Sequence, residues 1–168
     1  MAPSDVGPRA ARPYMPGYGV LAAGEGTGLL AWRDVEPRLA SSHDYWLATS
    51  RPDGRPHVMP VWGVWDGTAL WFSGGGRSRK VRNIARDPRC VVTTDDALDP
   101  VVVEGTAAVV TEESSIRRFL ELLNIKYAVD YQPDFLDPAV NATVRVAPHT
   151  AFAILQADFA GSPTRWTF

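Results

Sequence analysis

The stretch Ser73-Gly74-Gly75-Gly76-Arg77-Ser78-Arg79-Lys80 puts together the residue types from which a chain builds a cradle for an anion. Glycines let backbone N–H groups turn toward a bound charge, and Ser78 is a good N-cap. The free N–H groups of a first helical turn carry partial positive charge. Arg79 and Lys80 stand in that first turn, where the helix dipole disfavours an exposed cation by about 0.3–1 kcal/mol. A bound anion reverses the sign. The competing reading is a glycine-rich hairpin end followed by a solvated basic helix, and the stretch lacks the glycine spacing of a P-loop.

Other chemistry-bearing residues are sparse. His43, His57 and His149 have no metal-ligand spacing, and the single cysteine, Cys90, excludes a disulfide framework and any multi-cysteine zinc site, so no metal is expected. Cys90 lies in a strand-like run and reads as a core residue. The chain has 168 residues and a formal net charge of −2. That length suits one domain with a real core, and the charge argues against bulk nucleic-acid binding, so an anionic partner should be small. No apolar run is long enough to span a membrane and the start lacks a cationic, apolar leader, from which the cytoplasm is the expected compartment.

The positioning elements follow from period and punctuation. Residues 1–28 are rich in proline and glycine and read as an extended arm, lying on its own core or on a partner; the dinucleotide-like Gly17-Tyr18-Gly19 there is discounted because prolines precede it. Leu29 to His43 reads as a short helix with Asp34 as N-cap and Pro37 in its first turn. Strands are expected at Tyr45–Thr49 and His57–Trp65, joined by Pro52-Asp53-Gly54, with Asp66-Gly67 turning into a third at Ala69–Phe72. In the second strand Val58, Pro60, Trp62 and Val64 share one face, and His57, Met59, Val61 and Trp65 the other. One face can line a barrel; the other must meet a helix, a ligand or a second chain. Pro60 marks an edge, a bulge, or a place where the strand opens for something bound.

Downstream, Val81, Ile84 and Ala85 give a helix that stops at Asp87-Pro88. Strands are expected at Arg89–Thr94 and Val101–Val110, the second bent at Glu104-Gly105. A long helix runs from Glu112 to about Tyr127 with Ile116, Phe119, Leu120, Leu123 and Tyr127 on one face. A loop covers 130–142, strands follow at Thr143–Val146 and Ala151–Phe159, and Thr164–Phe168 offers a last one. The fold class is mainly β with short helices: an antiparallel barrel of six or seven strands over residues 29–168.

Three pieces, Arg51-Pro-Asp-Gly-Arg-Pro-His57, Pro60-Val61-Trp62, and Ser73 with Ser78-Arg79-Lys80-Val81-Arg82-Asn83, resemble the pyridoxamine 5′-phosphate oxidase-like family. This is the FMN-binding split-barrel superfamily, which also contains deazaflavin (F420)-dependent oxidoreductases. The resemblance implies a homodimer of split barrels with cofactor sites at the subunit interface. It places Met59, Pro60, Val61 and Trp62 along the cofactor ring and Ser73, Gly74, Ser78, Arg79 and Lys80 at its phosphate, with Asn83 closing the motif. It also puts Arg165 and Trp166 in a C-terminal element near the interface. Trp62 and Pro100 stand where the vitamin B6 oxidases usually carry a basic residue and a glutamine, so that reaction is not expected.

F420 carries a polyglutamate tail beyond its phosphate, and Arg77, Arg79, Lys80, Arg82, Arg86 and Arg89 offer a cationic groove for it, whereas FMN needs only the clamp. The motifs match the F420-using branch more closely. The implied activity is hydride transfer between F420 and a small unsaturated or quinone-like substrate. The alternatives are an FMN oxidoreductase of the same fold and a non-catalytic F420 or flavin storage protein. No proton donor stands out; His57 is the weak catalytic candidate.

Overall fold

The computed structural model describes residues 7–168. The elements are β1 (Arg9–Ala11), α1 (Trp32–Ser41), β2 (Asp44–Ser50), β3 (Pro56–Trp65), β4 (Leu70–Gly75), α2 (Arg79–Arg86), β5 (Arg89–Thr94), β6 (Val101–Val110), α3 (Glu113–Tyr127), β7 (Asn141–Ala153) and β8 (Thr164–Thr167). Short 3₁₀ turns lie at Pro133–Leu136 and Gln156–Asp158.

The strands pair antiparallel in the order β1-β8-β7-β4-β3-β2-β5-β6, and a further pairing of β6 with β7 closes six of them into a barrel. The turns that set this register were legible. Gly54 and Gly67 have φ of 82° and 92°, a region costly for any side chain. The Asp66 carboxylate accepts the N–H groups of Thr68 and Ala69, at 2.8 Å each, and holds the second hairpin shut. Alternation in β2 sends Tyr45, Leu47 and Thr49 inward, where Val35, Leu39, Val61, Phe72, Val92, Val144 and Trp166 complete the interior. Full burial of one such apolar side chain contributes roughly 1.5–3 kcal/mol.

The face of α3 carrying Phe119, Leu120 and Leu123 packs outside the barrel on Val64 and on Leu136 of the first 3₁₀ turn, forming a second core. So β3 is apolar on both faces, as its sequence required: Val61 and Trp65 point in, Val64 meets a helix. The bend at Glu104-Gly105 is a register shift in the β6–β7 ladder, where a Cβ on Gly105 would press on the Ala147 carbonyl.

Local expectations needed four corrections. α1 starts at Trp32 with Ala31 at its N-cap, so Asp34 is a first-turn acid and Pro37 lies inside the helix. β4 runs through Gly74 and Gly75, which pair with Ala142 and Asn141, and no glycine of that run has positive φ. The segments expected as separate strands at 143–146 and 151–159 form one strand to Ala153, since Pro148 is accommodated opposite the β6 bulge, and Gln156–Asp158 turns. Ser78 occupies the N-cap of α2 without a side-chain cap bond.

In residues 7–28, β1 pairs with β8 and the Arg12 guanidinium donates to the Pro163 and Gly161 carbonyls, 2.8 Å each, and to Ala22 at 2.9 Å. These residues therefore lie on the chain's own C-terminal segment. The start of the expected arm, 1–6, lies outside the described residues. No helix among the described residues is long and apolar enough to cross a membrane.

Candidate functional site: an anion cradle at the barrel split

β3 and β4 pair only over Gly63–Trp65 and Phe72–Leu70. Before that point β3, from Pro56 to Trp62, has β2 as its sole partner. Beyond it Ser73, Gly74 and Gly75 pair only with β7. The two strands diverge and α2 begins beside the opening. Pro60, which cannot donate to a ladder, lies in the one-sided stretch.

Polar groups at this opening have unusual bonding. Buried side-chain N and O atoms in folded proteins are nearly always hydrogen-bonded. Among the described residues five are not: Arg12 Nε, Arg51 Nε, Ser78 Oγ, Asn83 Oδ1 and Thr143 Oγ1. Arg51 Nε, Ser78 Oγ and Asn83 Oδ1 belong to the turn after β2 and to the start of α2, whereas Thr143 Oγ1 lies opposite Ser73 on the other face of the β4–β7 ladder from Gly74. Asn83 is 1% exposed, and its Nδ2 donates to Thr49 Oγ1 at 3.0 Å, so the amide is held by one end while its oxygen stays unspent.

Charge tells the same story. Arg51, Arg77, Arg79, Lys80, Arg82 and Arg86 make no ion pair among the described residues, although surface arginines elsewhere do: Arg55 with Asp53, Arg117 with Glu113. Gly74 is explained by this crowding: a Cβ there would sit 2.6 Å from Lys80 Cε and 3.0 Å from Nζ. The glycine leaves room for the end of the lysine side chain, which a methyl there would displace, and its backbone needs no special freedom. The N–H groups of the first α2 turn, the Lys80 amine and Ser78 Oγ thus converge beside β4, an arrangement that fits a phosphate.

His57 belongs to this cluster. Its Nδ1 lies 3.5 Å from Thr49 Oγ1. Desolvation, then the charges of Arg51, Arg79 and Lys80, hold its pKa below the ordinary histidine value.

On one face of β3 Val58 and Trp62 are 51% and 38% exposed, with Trp46 of β2 at 46% beside them, an apolar strip, while Met59, 42% exposed, borders the opening on the other face with His57. Val61 points into the barrel and is buried, so only its backbone borders the opening. Trp62 is braced from behind by Tyr127.

The C-terminal pair does not join them within one chain. Trp166 is 1% exposed, packed edge-on against Trp32 at 5.4 Å in the barrel interior. Arg165 lies near Glu104 at 3.9 Å on β8, which pairs with the far half of β7, Thr150–Ala153, while β4 takes Asn141–Val146. Arg89, expected in the cationic groove, is held by Asp87 at 2.7 Å.

Sequence reasoning missed Arg51 and Thr49 as members of the cluster. Arg51 was visible in the Arg-Pro-Asp-Gly-Arg-Pro run, but its direction depends on the hairpin. It also missed Lys126, whose Nζ donates to the Gly63 carbonyl and the Tyr45 hydroxyl at 2.8 Å each, and whose pKa is pushed down to about 8 by burial. No group of three or more metal-ligating side chains is gathered among the described residues.

Residues 32–156 match the pyridoxamine 5′-phosphate oxidase family. No curated protein matches the chain. Among solved structures, the chain is similar to one named F420 reductase, with 28% identity over 69% of this chain and 94% of that one and a TM-score of 0.58. It is similar to a conserved hypothetical protein from Mycobacterium tuberculosis, with 25% identity over 82% and 85% and a TM-score of 0.62. It shares its fold with the heme storage protein of Vibrio cholerae, at 16% identity over 69% and 88% and a TM-score of 0.58. With a closed six-stranded barrel split beside a polar cradle and a family match across most of its length, the chain belongs to the pyridoxamine 5′-phosphate oxidase family.

Proposed function

We propose that the chain is an F420-dependent oxidoreductase that transfers a hydride between the deazaflavin and a small unsaturated or quinone-like substrate, working as a homodimer in the cytoplasm with a cofactor site at each subunit boundary. The observation that carries the cofactor is the coincidence, at one opening, of unspent buried polar atoms with unpaired cations. Ser78, Lys80, Arg79 and the α2 N–H groups bind the phosphate, supported by Ser73, Gly74, Asn83 and Arg51. Met59 to Trp62 form the bed of the ring. When bound, the cofactor supplies hydride transfer at C5 of F420 or N5 of FMN. The chain's own part is to orient it, to exclude water with Trp62 and Met59, and to select its tail. The exposed strip of Trp46 and Val58 supplies the face for a second copy. Residues 1–28 act as an arm on a cofactor domain of 29–168.

F420 is favoured over FMN by two features. One is the similarity to the F420 reductase. The other is the row Arg79, Arg82 and Arg86, which lie three and four residues apart on one side of α2 and have no carboxylate partners among the described residues. Purified protein freed of cofactor and titrated with F420 and with FMN, followed by cofactor fluorescence, tests this. Tighter binding of F420 supports the proposal. Preference for FMN replaces F420 with FMN, and binding of neither removes the cofactor reading.

A further inference from the structure

His57 was the one side chain whose titration range suggested proton chemistry, and its surroundings point to a different use. Through Thr49, 3.5 Å from its Nδ1, His57 is linked to Asn83 of α2, and the charges that act on it are those of Arg51 in the turn after β2 and of Arg79 and Lys80 at the start of α2. Every charge acting on the ring is positive. Such a position penalises an imidazolium and favours the neutral ring. Asn83 Nδ2 donates to Thr49 Oγ1 at 3.0 Å, and that hydroxyl lies 3.5 Å from His57 Nδ1, so its proton is free to serve the tautomer that carries the ring proton on Nε2.

We propose that His57 is a proton-coupled member of the anion cradle: neutral in the free protein, it takes up a proton from solvent as the cofactor's phosphate enters and donates to that anion from Nε2. The proposal rests on the cofactor reading above. An anion set among Arg51, Arg79 and Lys80 cancels the field that excludes a fourth positive charge, and replaces it with an attractive one. The protonated ring keeps its rear contact, because Thr49 Oγ1 has a second lone pair to accept from Nδ1–H. The residue is then a binding residue at the phosphate end, distant in role from hydride transfer at the ring.

Linkage fixes the sign. If binding raises the His57 pKa, affinity for the anion is greatest below the free-state pKa. It falls as pH rises from there through the bound-state pKa, tenfold for each pH unit that separates the two values. F420 removes the phosphate's own titration, since its phosphate is a diester with no second ionisation near neutrality, and His57→Gln serves as the reference for the ionisation of the cofactor's ring hydroxyl. FMN's monoester loses a proton near pH 6 and pulls the other way.

The test follows the histidine ring resonances of the full chain by NMR against pH, free and saturated with F420, with His57→Gln assigning the signal. The expected result is that His57 titrates below the ordinary histidine value in the free protein and moves up by at least one pH unit with F420. Between pH 8 and pH 5.5 the F420 affinity of wild type should gain about tenfold more than that of His57→Gln, whose profile carries only the cofactor's own ionisation. F420 saturating the protein with His57 unmoved, or a pH dependence in His57→Gln equal to that of wild type, overturns the proposal and leaves the cofactor reading intact. Failure of both F420 and FMN to bind overturns the cofactor reading itself and this proposal with it.

Discussion

Tyr127 lies flat against Trp62, ring centroids 4.3 Å apart and planes 5° from parallel, and its hydroxyl accepts the Gly63 N–H at 2.8 Å while donating to the His43 carbonyl at 2.6 Å. The last residue of α3 thereby finishes the β2–β3 ladder where the strands part and fixes the indole at the mouth of the opening. Tyr127→Phe keeps the stack but strands those backbone groups. Chemical denaturation should show a loss of about 1–3 kcal/mol with Trp62 fluorescence nearly unchanged. Tyr127→Ala should also free the indole and alter its emission.

Gly74→Ala should separate binding from folding. The backbone at Gly74 suits any residue, so stability should hold, while the new methyl displaces the Lys80 amine that would lie 3.0 Å away. Cofactor titration should show affinity falling about tenfold or more, equivalent to roughly 1.4 kcal/mol, with thermal melting little changed.

The arginines of and beyond α2 should not be equivalent. Arg82→Ala and Arg86→Ala should weaken F420 and spare FMN, with the effect fading at high salt because these side chains are exposed. Arg89→Ala, whose guanidinium is held by Asp87, should leave both affinities unchanged. Equal losses for all three would mean that the row does not act as a groove.

Lys126 should shape alkaline stability. Its folded pKa is about 8 against 10.5 for a free lysine, so between those values the unfolded chain binds the extra proton. Stability therefore rises with pH from about 8 toward 10, by about 1–2 kcal/mol for a partly exposed amine. Above pH 10 the sign reverses, because burial pushes Tyr127 up to about 12 and the unfolded chain ionises its tyrosines first. Urea midpoints across pH 7.5–11 should show this rise in wild type and lose it in Lys126→Met.

What the sequence determined by itself was local. The hairpin turns at Gly54 and Gly67, the two-sided apolar character of β3, the α3 face and the cationic first turn of α2 all follow from period, positive φ and charge within a few residues of one another. Arg79 and Lys80 announce an anion because their own helix end disfavours them. The candidate site was legible to the extent that it is one segment, Ser73 to Asn83.

The rest depends on pairings between distant strands. β7 bridges β4, β6 and β8 from a single continuous run across Pro148, which no local signal separates from two strands. Where β3 and β4 part decides that Met59 and His57 face an opening while Val61, on the same face, is buried. The barrel's closure put Trp166 in the interior, although the family resemblance implied a place near the subunit interface. Which buried polar atoms remain without partners is likewise a property of the closed fold, since satisfaction is decided by whatever arrives across the barrel. Tertiary structure alone made the basic segment part of a candidate cradle, by bringing Thr49 and His57 of one hairpin to α2 through Asn83.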